Sequence, residues 1–183
     1  MRAIYEAGRQ IRKVHFVMVL TFVVAVVGVA SGIHVMKTYG LREADGGALK
    51  PLHVRLAFGG GLALAGLAVA TGMAYYGRRY VARLEIDETT GEVHLLTLDL
   101  FGVNRLVPPR EDLGRGSYHH GQMRGRVVVD APWWTVPVRG FRVPFILDAQ
   151  GTVHDEQTFW SLLRLRAPDR CEGERDLAAR RSG

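Results

Sequence analysis

Two stretches of this chain, residues 14–36 and 56–77, contain no Lys, Arg, Asp or Glu. With about 1.5 Å of rise per residue, each is long enough as a helix to cross a hydrocarbon core of roughly 30 Å. A chain of 183 residues with two such runs cannot place them both in one ordinary water-soluble core. It has room for two membrane helices and a smaller folded unit. The first run is too long for a signal-peptide core, and no small-residue cleavage motif is followed by a soluble chain. The sequence predicts a transmembrane hairpin.

The second run, which reads AFGGGLALAGLAVATGMAYYG from residue 57 on, is unusually rich in glycine and alanine. In water each interior glycine costs about 1 kcal/mol relative to alanine. In a bilayer the balance differs, because small residues let helix backbones approach closely and gain van der Waals contact. Gly61, Ala65, Ala68 and Gly72 share one face by steps of three and four, and Gly59, Ala63, Gly66 and Ala70 share another. The first run has a matching line at Thr21, Ala25, Gly28 and Gly32. One face can seat the hairpin's other helix, which leaves a second for another copy or another protein's helix. The alternative is a loosely packed hairpin facing lipid, since so many small residues form such a pattern on almost any face.

Charge is placed unevenly. Arg2, Arg9, Arg12 and Lys13 outnumber Glu6 before the first run, and Arg78, Arg79 and Arg83 follow the second. The connector 37–55 mixes both signs. This distribution favours both termini on the charge-retaining side of the membrane. Arg12, Lys13, Arg78 and Arg79 emerge on one surface, where they could clamp an anionic lipid head group such as cardiolipin or could simply set topology. Residues 1–13 read as an amphipathic N-terminal segment with Ile4, Ala7 and Ile11 on one face, either a helix lying on the membrane surface or a solvated extension of the span. Residues 77–183 are nearly balanced in charge, which argues against a nucleic-acid binder. Cys171 is the sole cysteine, so neither a disulfide framework nor paired metal thiolates can form within the chain.

After the second run the period changes. Tyr80, Ala82, Leu84 and Ile86 alternate with charged residues, as in a half-buried strand. DETTGE (87–92) is a turn, and VHLLTLDLFG (93–102) is a second strand. Pro108 and Pro109 bar residues 106–114 from a central strand. Residues 116–125 read as a polar loop, followed by short strands near 126–130, 133–138 and 141–148. Arg139-Gly140 and Ala149-Gln150-Gly151 are turns. Residues 154–166 form a closing helix capped by Asp155 or Thr158, with Phe159, Leu162, Leu163 and Leu165 as its apolar face. The polar stretch 167–183 is a tail, ordered only against a partner. The fold class is therefore a membrane α-hairpin followed by a small antiparallel β domain with one helix, over residues 79–166.

Chemistry is sparse. His34 and His53 lie near one membrane surface, and bis-histidine haem ligation between two helices is the alternative function they suggest. His119-His120 lacks a third ligand at metal spacing, and no metal site is expected. No catalytic triad order, P-loop, G-x-G-x-x-G, H-E-x-x-H or C-x-x-C occurs, and neither span carries a charge for an ion relay. The sequence predicts no enzyme, no small-molecule substrate and no cofactor beyond a bound lipid. Of Trp133 and Trp134, one should pack in the β core while the other meets a partner or the membrane interface. Tyr75, Tyr76 and Tyr80 form an interfacial belt.

Two segments carry a resemblance. LEIDETTGEVHLLTLDLFGVNRLVPPREDL (84–113) is a strand–turn–strand ending in an aromatic-Gly pair, with a proline-containing link to an acidic-Leu. VPVRGFRVPFILDAQGTVHDEQTFWSLL (136–163) is a basic-Gly turn, an aromatic strand, an Asp-x-x-Gly turn and a helix with an aromatic. With the preceding hairpin, this order is similar to the family of mitochondrial transmembrane proteins numbered 70, 186 and 223, over residues 14–165. Phe101-Gly102, Leu113, Phe145, Asp148, Gly151 and Phe159 occupy the matching positions. The resemblance implies a multi-pass inner mitochondrial membrane protein with both termini in the matrix. It also implies a role with subunits of a respiratory complex or ATP synthase, as accessory subunit or assembly factor, and no catalytic residues. No long Arg/Ser-rich presequence precedes Val14, which implies either its removal or internal targeting. A bacterial two-helix protein with a cytoplasmic β domain would share the architecture but not the compartment.

Overall fold

The computed structural model describes residues 1–41, 47–121, 123–124, 127–128 and 131–165. The chain divides into two compact units, Val14–Gly77 and a unit formed by Met1–Lys13 with the chain from Arg78 onward. The polar tail predicted at 167–183, with Cys171, lies outside the described residues, as does part of the 37–55 connector.

The hairpin consists of α1 (Arg9–Thr38) and α2 (Leu52–Gly77), both long and apolar enough to cross a membrane. Each extends beyond its uncharged run because Lys and Arg at a helix end can lay their stems along apolar surface and keep the charge in water. Few of its residues are buried: Met18, Ala25 and Gly32 on α1, and Gly59, Gly66 and Gly77 on α2. Phe16 and Leu64 are 66% and 68% exposed. A helix in a soluble core would hide such side chains, whereas one facing lipid has no reason to. Gly40, at φ +97°, closes α1 in the left-handed region, and a Cβ there would stand 2.8 Å from the Lys50 nitrogen.

The second unit contains a five-stranded sheet in the order β10-β1-β2-β3-β4. Its strands are β1 (Arg2–Glu6), β2 (Val81–Ile86), β3 (Val93–Asp99), β4 (Gly102–Leu106) and β10 (Thr152–Val153), and every neighbouring pair is antiparallel. Residues 9–13 are the start of α1, a solvated extension of the span, but β1 corrects the helical reading of the residues before them. Residues 2–6 are an interior strand, with Tyr5 opposite both Leu84 and Val153. Ile4 and Tyr5 are fully buried, and apolar burial on both faces favours a strand over a helix with one wet side. The strands before and after the hairpin thus pair with each other.

The 87–92 turn forms as expected, with Asp87 Oδ1 accepting from the Thr89 N–H at 2.8 Å. That backbone hydrogen bond holds the Asp87 carboxyl below its ordinary range. The second strand is shorter than the predicted 93–102. It ends at Asp99, and the chain turns through Leu100-Phe101 into β4, whose outer side can leave its donors to solvent because it is an edge. The two prolines follow β4 rather than interrupt it.

A three-stranded sheet, β5-β8-β9, joins Ser117–His119, Trp133–Val136 and Phe145–Asp148, while β6 (Met123–Arg124) and β7 (Val127–Val128) form a small ribbon. Residues 116–125 are therefore not all loop. Ser117 and Thr135 are directly opposed, a short polar pairing without the apolar alternation that signals a strand. The sheets meet where Tyr80 bridges Ile146 in parallel.

The closing helix α3 spans Glu156–Leu163, and Asp155 is its cap. The Thr158 N–H donates to Asp155 Oδ1 at 3.0 Å, and this bond, with the Thr158 hydroxyl, lowers the Asp155 carboxyl from its ordinary value. Phe159, Leu162 and Leu163 are buried. Phe159 stacks on Tyr5 at 5.9 Å and meets Trp134 edge-on at 5.3 Å. The aromatic core thus ties α3 to both sheets.

Candidate helix-packing faces and interfacial residues

The helix backbones of the hairpin approach each other through the small residues of one face. A Cβ on Gly32 would fall on the Gly59 carbonyl oxygen, and one on Gly59 on the Gly32 carbonyl. The backbones there are in contact, and no other residue type fits without separating them. Further along, a Cβ on Gly66 would stand 3.2 Å from the Ala25 Cα, and one on Gly28 would stand 3.6 Å from the Gly66 Cα. Ala63 lies against Gly32 in the same row.

The other face of α2 is bare. Among the described residues nothing lies within 4 Å of a Cβ placed on Gly61 or Gly72, and Ala65 and Ala68 between them are exposed. The structure therefore brings together Ala25, Gly28, Gly32, Gly59 and Gly66, and leaves Gly61, Ala65, Ala68 and Gly72 on the outside. Thr21 turns its hydroxyl back to the Met18 carbonyl at 2.9 Å. Beside the contact row an apolar cleft of about 570 Å³ is lined by Phe22, Val26, Ile33, Leu67 and Ala74 among others.

Sequence reading missed Arg55. It stands in the first turn of α2 and donates from Nη1 to the Met36 carbonyl at 2.8 Å, capping the last turn of α1, where a cation also opposes the helix dipole. Its position just before an uncharged run was the available signal, but a boundary arginine ordinarily reads as a topology charge.

The four cations expected at a lipid head group stand in different surroundings. Arg12 and Lys13 are exposed on α1. Arg78 lies 3.8 Å from the Asp99 carboxylate. The Arg79 guanidinium lies over the Phe141 and Phe145 rings at 4.9 and 5.0 Å, a cation–π placement. Trp134 is buried in the core against Phe159 and Trp160, which removes it as a contact surface. Trp133, on the alternate face of β8, is half-buried and stacks on His119 at 5.1 Å. His34 and His53 are both exposed, and no cluster of three or more His, Cys, Asp or Glu suited to a metal occurs among the described residues.

Comparison with known proteins adds one match. The family model described as TMEM70/TMEM186/TMEM223 protein family matches residues 3–165. No curated protein and no solved structure matches the chain. The matched range begins in β1 and runs two residues past α3, so it takes in the N-terminal strand that the resemblance of 14–165 had left out.

Proposed function

The chain belongs to the TMEM70/TMEM186/TMEM223 family, mitochondrial membrane proteins of the assembly type, and from that membership we propose that it is a non-catalytic scaffold of the inner mitochondrial membrane. It holds a helix of a respiratory complex or ATP synthase against α2 while its β unit stands in the matrix. The observation that carries the reading is the division of labour on α2. One small face is used up by α1, and the opposite one, Gly61-Ala65-Ala68-Gly72, meets nothing among the described residues of the hairpin. Lipid gives a helix no reason to shed side-chain bulk on its outer side, whereas a second helix does. The pairing of β1 with β2 supports the topology, because strands on either side of a two-span hairpin can pair only on one side of the membrane.

The test is purification of the full chain from mitochondria in mild detergent. Gly61→Leu with Gly72→Leu should strip the co-purifying membrane subunit while leaving the thermal midpoint of the isolated protein unchanged. Retention of that subunit by the double variant overturns the reading. On a native gel, migration with assembly intermediates identifies an assembly factor, and migration with the mature complex identifies a resident subunit.

A further inference from the structure

Two loops at one end of the β unit carry large apolar side chains into solvent. Phe101, in the turn between β3 and β4, is 92% exposed, and Val103 is 56% exposed. Phe141 and Val143, between β8 and β9, are 40% and 37% exposed. Several large apolar groups exposed at the same end of a folded domain mark a surface that meets something.

Strand register fixes which end this is. Val81 faces Thr97, and the Leu98 N–H donates to the Tyr80 carbonyl at 3.3 Å. Asp99 therefore comes level with Arg79 and Arg78, consistent with its 3.8 Å approach to the Arg78 guanidinium, and the Leu100-Phe101 turn continues past that level. The second register is independent. Tyr80 bridges Ile146 in parallel, and the Ile146 N–H donates to the Arg79 carbonyl at 2.8 Å. Residues 141–143, preceding Ile146, extend the same way, with the Phe141 ring 4.9 Å from the Arg79 guanidinium carbon. Arg78 follows directly on a 26-residue apolar helix, so this end of the unit is the one joined covalently to the span.

Charge is polarised along the same axis. Arg139 and Arg142 flank Phe141 and are exposed, as are Arg12 and Lys13 on the first turns of α1. The acids nearby are Asp99, paired with Arg78, and Glu111 and Asp112, whose segment meets the Arg139 N–H through the Asp112 carbonyl. The far end of β2 and β3 is the Asp87-Glu88-Glu92 turn, where Arg2 pairs with Glu88 and Asp155 and leaves the acids in excess.

We propose that the Phe101 and Phe141 loops are a second membrane contact, inserted at headgroup depth in a bilayer of anionic lipid. The rings and valines enter the boundary with the acyl chains, while Arg139 and Arg142 meet the lipid phosphates. The arrangement locks the β unit against the bilayer instead of leaving it on a two-stranded tether. It requires that the hairpin cross a membrane, and it is independent of which complex the protein serves.

The experiment uses the full chain in phosphatidylcholine–phosphatidylglycerol vesicles, with and without acyl-brominated lipid. Phe101→Trp and Phe141→Trp should each add blue-shifted emission that is quenched in brominated lipid, less than for a residue within the span, as expected of an aromatic at headgroup depth. Thr89→Trp, at the far turn, should be unaffected, and Val69→Trp, within the span, should be strongly quenched. Phe101→Trp and Phe141→Trp emission as insensitive as Thr89→Trp, with Val69→Trp quenched, overturns the proposal and leaves the helix-face reading standing. An insensitive Val69→Trp overturns the membrane hairpin and this contact together. Equal quenching in phosphatidylcholine alone, or in Arg139→Glu with Arg142→Glu, overturns the preference for anionic lipid.

Discussion

Gly32 and Gly59 are the residues on which the hairpin turns. Each places its backbone where the other's Cβ would be, so Gly59→Ala forces the helices apart and should cost about 1–3 kcal/mol, as overpacking does. Thermal unfolding in detergent micelles checks this, with Gly61→Ala as the control expected to be neutral. Tyr5 is the corresponding residue of the β unit. Its hydroxyl donates to the Asp148 carbonyl at 2.8 Å, and burial, with the Asp148 charge in support, pushes its ionisation far above the ordinary phenol range. The folded state keeps Tyr5 neutral while the unfolded chain ionises near pH 10, so its contribution is complete below that pH and is lost as pH rises above it. Alkaline titration of stability should show a falling limb from about pH 10 that Tyr5→Phe flattens. The small-residue rows were legible because stepping by three and four assigns faces without coordinates. Which row faced α1 was not, since both are equally small. Gly151 was legible only as a turn glycine. The structure gives it another reason, because a Cβ there would stand 2.5 Å from the Tyr5 ring, a contact 146 positions distant in the chain that no local pattern reveals.

At the scale of elements, β1 is the piece whose loss should matter most. It lies between β10 and β2 and brings Ile4 and Tyr5 into the core. Ile4→Asp places a charge with no partner at a fully buried position of an interior strand. Near-UV circular dichroism of the aromatic core should collapse, while far-UV helix signal from α1 and α2 persists. Survival of both signals would contradict the interior placement. This strand was hidden from sequence reading by its brevity and by its partners, which lie beyond the hairpin and at the end of the domain. An Ile-Tyr pair between charged residues supports a helix face as readily as a strand. The 87–92 turn and the Asp155 cap were readable because their chemistry is local, an Asx turn and a carboxylate three residues ahead of an open N–H. β4 and β5 were not, since an edge strand and a short polar strand lack the alternation that marks half-buried ones.

For the whole molecule, the hairpin is an insertion within a sheet rather than an anchor attached ahead of it. Tags placed before Arg2 and within the 87–92 turn should be accessible from the same membrane face in protease-protection assays. Access from opposite faces would be incompatible with β1 opposite β2. Two-span architecture was plain from the uncharged runs, and the small β domain from the change of period after Tyr80. Their interdependence was invisible, because it resides in the hydrogen-bonded ladder that residues 2–6 form with 83–86 on one side and 152–153 on the other.

That ladder makes the order of biogenesis consequential. The first strand leaves its synthesis or import site without a mate, and its neighbour arrives only after the intervening helices have gone out and come back. A molecule stalled with one helix across, or threaded the wrong way, keeps the halves of its sheet in different compartments. The finished sheet is thus a seal that closes only on correctly threaded chains, and quality control that removes unpaired strands would act on the rest.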